Sequence, residues 1–182
     1  INTNGGADFV DLWEHTGNVT ANLGDGDDYF EVDGTGNMNV VMSEGDNEAV
    51  FGDYSFGDSV TGNVVVTAGA GNDDFYFEDI RVNAPGSGNV TADAGNGNNY
   101  MFFHEVEGLI DAKAGTGNDE FDFDDVWFGN WGTHTFGAGD KIDGVEIENL
   151  GLCQPDVDRE RAAYPLYEYD TIIINPESYT HF

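Results

Sequence analysis

The chain has 182 residues, enough for one domain with a buried interior. Thirty-six Asp and Glu stand against five Lys and Arg, a formal charge of −31, which excludes a basic nucleic-acid-binding surface and attraction to an anionic membrane. An aromatic share of 13% excludes an acidic disordered tail, and the longest apolar run, the four residues Tyr100 to Phe103, is far short of the ~20 that span a bilayer as a helix, so membrane insertion is not expected.

The chain begins at Ile1 with no signal-peptide pattern, and reads as a processed product or an excerpt. From there a glycine-rich turn recurs. It stands as Gly24-Asp-Gly-Asp-Asp28, Gly69-Ala-Gly-Asn-Asp73, Gly95-Asn-Gly-Asn-Asn99 and Gly115-Thr-Gly-Asn-Asp119. Looser copies are Asn4-Gly-Gly-Ala-Asp8, Ser43-Glu-Gly-Asp-Asn47 and Gly137-Ala-Gly-Asp-Lys141. The second glycines fall at 6, 26, 45, 71, 97, 117 and 139, so the repeats are 19 to 26 residues long.

Before the turns run short alternating segments, residues 17–23, 36–42, 62–68, 88–94 and 108–114. Their apolar positions stack into three columns: Val19, Met38, Val64, Val90 and Ile110; Ala21, Val40, Val66, Ala92 and Ala112; Leu23, Met42, Ala68, Ala94 and Ala114. After the turns come Phe30, Ala49, Phe75, Met101 and Phe121 in one column, and Leu12, Val32, Phe51, Phe77, Phe103, Phe123 and Val145 in the next. Period two with one apolar face predicts half-buried strands. The small residues of one strand facing the large residues of the other predict two close-packed sheets around a narrow interior. The expected fold is all-β: a parallel β-solenoid, β-roll- or β-helix-like, of about seven coils over residues 1–151. Longer returns at 52–61, 78–87 and 124–131 carry a predicted third short strand, on Ile80 and Val82 in the second and on Val126 and Phe128 in the third. Residues 152–182 do not repeat and are expected to form a C-terminal cap or docking tail, with one strand at 171–175.

The turn's chemistry points to a cation. Its backbone carbonyls and the acidic or amide side chains of successive copies crowd together. Such oxygen ligands suit a hard cation of flexible geometry, Ca²⁺. The fifth turn position supplies Asp8, Asp28, Asn47, Asp73, Asn99 and Asp119; the fourth supplies Asp27, Asp46, Asn72, Asn98 and Asn118; Asp25 lies between the first pair of glycines. These are the candidate metal ligands. Like charges ~5 Å apart cost on the order of 3 kcal/mol per pair at an effective dielectric constant of ~20, and the chain has few Lys or Arg to offset them. His15, His104 and His181 fall at unrelated offsets and make no zinc set; His134 reads as a core residue.

The turns resemble the Gly-Gly-x-Gly-x-Asp-x-U-x nonapeptide of the RTX, or hemolysin-type calcium-binding, proteins. Gly24 to Phe30, Gly69 to Phe75 and Gly115 to Phe121 fit from the second glycine onward, and Gly139 to Leu150 is similar to the close of such an array. The resemblance covers about residues 4–150 and implies a β-roll that binds Ca²⁺ between adjacent coils in a secreted bacterial protein. Two features depart from it. The motif sits on one edge only, and Asn replaces Asp in two repeats. Lys141 stands in the ligand place of the last turn and is expected to end the column. Seven turns leave six gaps, so at most about five ions are expected, with the gap nearest Asn4 the weakest.

The expected function is that of a secreted calcium-binding structural protein, self-assembling into an extracellular filament or surface layer through its ends and the C-terminal strand. The alternative is a calcium-stabilised module of a larger adhesin or RTX-like surface protein. Trp127, Phe128 and Trp131 suggest contact with an extracellular polysaccharide or a protein, against the competing reading that they pack beneath the extra strands. Asn18 and Asn89 match the glycosylation sequon. A polysaccharide-acting enzyme is the distant alternative: no nucleophile elbow, phosphate loop or zinc helix is present, and catalysis is not expected. The lone Cys153 leaves no internal disulfide.

Overall fold

In a computed structural model, the described residues are 1–53, 57–81 and 87–122, together with the backbone of 123–124, 133–136, 140–146 and 171–174. They are all strand and turn. The strands are β1 (Phe9–Thr16), β2 (Val19–Gly24), β3 (Tyr29–Thr35), β4 (Met38–Met42), β5 (Glu48–Phe51), β6 (Val60–Thr61), β7 (Val64–Thr67) and β8 (Asp74–Glu78). They continue as β9 (Ile80–Arg81), β10 (Val90–Asp93), β11 (Tyr100–His104), β12 (Ile110–Lys113), β13 (Asp119–Asp124), β14 (Thr133–Phe136), β15 (Asp140–Glu146) and β16 (Thr171–Ile174). Among the described residues no helix is long and apolar enough to cross a membrane.

The alternating segments form strands because their apolar side chains fall on one face. In β2 and β4 the burial alternates strictly, with Val19, Ala21, Leu23, Met38, Val40 and Met42 at 5% exposure or less. The backbone register reproduces the sequence columns. Val19 pairs with Met38, Met38 with Val64, Val64 with Val90 and Val90 with Ile110. On the other side Phe30 pairs with Ala49, Ala49 with Phe75, Phe75 with Met101 and Met101 with Phe121. The core lies between: alanines and valines of one set of strands meet a file of phenylalanines from the other. Phe51 and Phe77 stack with ring centres 5.4 Å apart, and Phe77 and Phe103 at 4.9 Å.

The expected single parallel β-solenoid of about seven coils is corrected by the sheet topology. The strands form two parallel sheets, one of nine strands and one of seven, rather than one clear solenoid. The seven-stranded sheet runs β16-β14-β12-β10-β7-β4-β2. The nine-stranded sheet runs β15-β13-β11-β8-β5-β3-β6-β9, and β1 joins it through β3. The physical reason is that each repeat sends its strand before the turn to one sheet and its strand after the turn to the other, and that the repeats are uneven. Besides β1, β3 is long enough to take two partners on its other side: Tyr29 to Val32 pair with β5, and Gly34 and Thr35 pair with β6. β5 and β6 therefore share one side of β3, and the pairing path forks there. Register also slips between Leu12 and His15, between Asn22 and Gly24, and between Asp122 and Asp124.

The predicted third strand exists in two of the long returns, as the two-residue β6 and β9, both within the nine-stranded sheet. Val82, the third long return with Val126 and Phe128, and Trp127 and Trp131 lie outside the described residues. So does most of the 152–182 segment. Its predicted strand is β16, whose backbone pairs in parallel with β14, Thr133 to Thr171 through Phe136 to Ile174.

Candidate metal centre at the Asp and Asn turns

The turns stack in register because their glycines leave room for it. A Cβ on Gly71 would overlap the Gly45 carbonyl, and one on Gly97 the Gly71 carbonyl. Close approach of successive backbones, not only positive φ, therefore requires glycine at the turn's third position.

Two side-chain ladders run along this edge in opposite senses. In the inner ladder each side chain accepts the backbone N–H of the preceding repeat. Asp28 Oδ1 accepts from Asp8 at 2.9 Å, Asn47 Oδ1 from Asp28 at 3.2 Å and Asp73 Oδ1 from Asn47 at 3.0 Å. Asn99 Oδ1 accepts from Asp73 at 3.0 Å, and Asp119 Oδ1 from Asn99 at 2.9 Å. In the outer ladder the earlier repeat accepts from the later. Asp27 Oδ1 receives the Asp46 N–H at 3.0 Å, Asp46 Oδ1 the Asn72 N–H at 2.7 Å, Asn72 Oδ1 the Asn98 N–H at 3.0 Å and Asn98 Oδ1 the Asn118 N–H at 3.0 Å. Eleven of the twelve candidate ligands thus fall in two columns. The twelfth, Asp25, is exposed beside them, its backbone bridging Gly5.

Burial separates the columns. Asp28, Asn47, Asp73, Asn99 and Asp119 are all 3% exposed or less, whereas Asp27, Asp46, Asn72, Asn98 and Asn118 face solvent. In the inner column one oxygen of each carboxylate, Oδ2 of Asp8, Asp28, Asp73 and Asp119, is buried without a hydrogen-bond partner. A desolvated carboxylate oxygen in that state is costly. Burial pushes the Asp73 carboxyl up to about 6, against the lowering effect of the two N–H groups of Asn47. Burial raises Asp28 too, opposed by the Asp8 N–H and reinforced by the charges of Asp8, Asp27 and Asp25.

The described cations do not relieve this edge. Arg81 holds Asp79 with Nη2 at 2.9 Å from Oδ2, and Lys113 pairs with Asp93 at 2.7 Å. Among the described residues no group of three or more His, Cys, Asp or Glu side chains converges to hold a metal. A cation here would be held by one or two carboxylates together with turn carbonyls. The orphaned Oδ2 atoms fit that role, and the donor set is all oxygen, as Ca²⁺ prefers.

The opposite edge carries a third ladder that the spacing of the acidic turns does not reveal. Asn18 Oδ1 accepts the Asn37 N–H at 3.0 Å, Asn37 Oδ1 that of Asn63 at 3.0 Å, Asn63 Oδ1 that of Asn89 at 3.1 Å, and Asn89 Oδ1 that of Leu109 at 2.9 Å. Its signal is the Gly-Asn pair before four of the first strands. Both sequon asparagines, Asn18 and Asn89, belong to it. Beyond β1 and β3 an open cleft of about 180 Å³ is lined by Asp11, Trp13, Glu31, Asp33, Asp53 and Asp58, none of which the turn motif marks. His104 is buried and stacks on Phe102 at 6.0 Å, away from the turn column.

No protein-family model, curated protein or solved structure matches this chain.

Proposed function

We propose that the protein is a secreted, calcium-stabilised structural protein of the extracellular space, whose copies associate through the ends of their sheets. The observation that carries the calcium reading is the set of four buried carboxylate oxygens without a partner, all in one column at the glycine-rich turns. A divalent cation would supply the missing positive charge where the described Lys and Arg side chains do not. The resemblance of the turns to RTX repeats supports the choice of Ca²⁺ and a secreted location.

Association is supported by β1. It pairs with β3 and with no other described strand, and it carries Phe9 at 72% and Trp13 at 77% exposure. An unpaired, apolar strand edge favours joining another chain.

Titration calorimetry of Ca²⁺ into chelator-stripped protein tests the reading. Binding with saturable stoichiometry, reduced by one ion in each of Asp28→Ala and Asp73→Ala, is expected. Heat indistinguishable from dilution at millimolar Ca²⁺ would refute it. Light scattering with and without Ca²⁺ tests association: particles larger than one chain are expected, and a monodisperse monomer at high concentration would overturn it.

A further inference from the structure

The inner column does not treat its six positions alike. Asn47 Nδ2 donates to its own turn, to Gly45 O at 2.9 Å and Ser43 O at 3.3 Å, and also to Asp73 Oδ1 at 2.8 Å. Asn99 Nδ2 repeats this, donating to Gly95 O at 3.4 Å and to Asp119 Oδ1 at 2.9 Å. In each case one N–H-bearing group ties a turn carbonyl to the carboxylate of the next repeat. Joining a carbonyl oxygen to a carboxylate oxygen is what an oxygen-loving cation does. Where the column holds Asp, the second terminal atom is an oxygen, which offers no proton to its turn, and that oxygen is the orphan at Asp28, Asp73 and Asp119.

We propose that Asn47 and Asn99 are built-in substitutes for a cation, so that the metal requirement of the column is confined to the Asp8–Asp28 pair, Asp73 and Asp119. The identity of the cation rests on the calcium reading; the role of the two amides does not. Asp8 and Asp28 are the one pair of consecutive aspartates in the column, and Asp28 receives a single N–H, from Asp8. Asp73 and Asp119 each receive two N–H groups on Oδ1 from the asparagine before them. The strongest demand therefore falls at the Asp8–Asp28 gap, the reverse of the sequence expectation that the gap nearest Asn4 is the weakest, and binding there uses two carboxylates. Asparagine in this column is a device that fixes the ion count: each Asp→Asn exchange deletes a site, and each Asn→Asp exchange creates one.

The test uses the full chain in four variants, N47D, N99D, D28N and D73N, melted in chelator and in Ca²⁺, with the bound ions counted by calorimetry. In chelator, N47D and N99D should melt at least about 2 °C lower than the parent, or fail to fold, and D28N and D73N at least about 2 °C higher. In Ca²⁺, N47D and N99D should recover and each bind one more ion, while D28N and D73N each bind one fewer. D28N and D73N melting lower than the parent in chelator would overturn the proposal, as would N47D and N99D melting no lower. If no variant binds Ca²⁺ but the chelator shifts hold, the amides' role stands and the calcium reading falls.

Discussion

Asn47 gives both its backbone N–H and its side-chain N–H to one atom, Oδ1 of Asp73, at 3.0 and 2.8 Å. The acceptor is fully buried, so these two donors are its solvation. The same amide satisfies the Gly45 carbonyl. Asn47→Ala leaves a buried carboxylate with one donor and a turn carbonyl with one fewer. The expected cost is about 1–3 kcal/mol, read as a lower urea midpoint at fixed Ca²⁺.

The phenylalanine file is wholly buried in the core. Phe77 lies between Phe51 and Phe103, stacked on both, and is fully buried. Truncating it removes ring contacts with Phe51, Phe103 and, edge-on, Phe75, and leaves a cavity between strands. Phe77→Ala should destabilise by about 3–5 kcal/mol in equilibrium unfolding, and Phe77→Leu by less.

Gly71 separates two reasons for glycine in the turns. Its φ lies outside the left-handed region, so a side chain there meets no backbone penalty. Its Cβ would nonetheless overlap the Gly45 carbonyl, which is backbone and cannot turn aside. Gly71→Ala should cost about 2 kcal/mol or more by thermal melting. Exposed Gly6, with nothing near its Cβ, serves as the comparison: Gly6→Ala meets only its φ of 109°.

Acidic side chains also face each other on the outer side of the nine-stranded sheet. Glu48 pairs across the strands with Asp74. Burial raises the Glu48 carboxyl, and the charges of Asp74 and Glu31 raise it further; burial and then Asp46 raise Asp74. A carboxyl raised on folding keeps its proton in the folded state at a pH where the unfolded chain has lost it. Stability therefore falls as pH rises through that interval and stays lower above it. In chelator, acidifying from about pH 7 to about pH 5 should raise the melting temperature. Glu48→Gln should raise neutral-pH stability by about 0.2–1 kcal/mol and flatten the pH profile.

The strands and their facing residues were legible in the sequence because a period of two leaves a direct mark. Val19, Met38, Val64, Val90 and Ile110 align by spacing and also by register. The forked path of pairing within the nine-stranded sheet was not legible. It depends on β3 sharing its length between β5 and β6, and in sequence the long return between them shows only as extra length. The turn column was legible as a set of residue types, but not the opposite senses of its two ladders. Those senses decide which oxygen is satisfied, and so why Asn47 and Asp73, alike in shape, differ in what they require. The Gly-Asn ladder at the other edge was present as a repeated pair, yet asparagine favours turns for several local reasons, and its inter-repeat bond is a tertiary one.

The most direct measurement is far-ultraviolet circular dichroism during a thermal melt, run in chelator, then with Ca²⁺, then with Mg²⁺. The account predicts loss of β signal or a much lower melting temperature in chelator, full recovery with Ca²⁺, and weaker recovery with Mg²⁺, which holds its water and demands tighter geometry. A spectrum and melting temperature unchanged by chelator would contradict it.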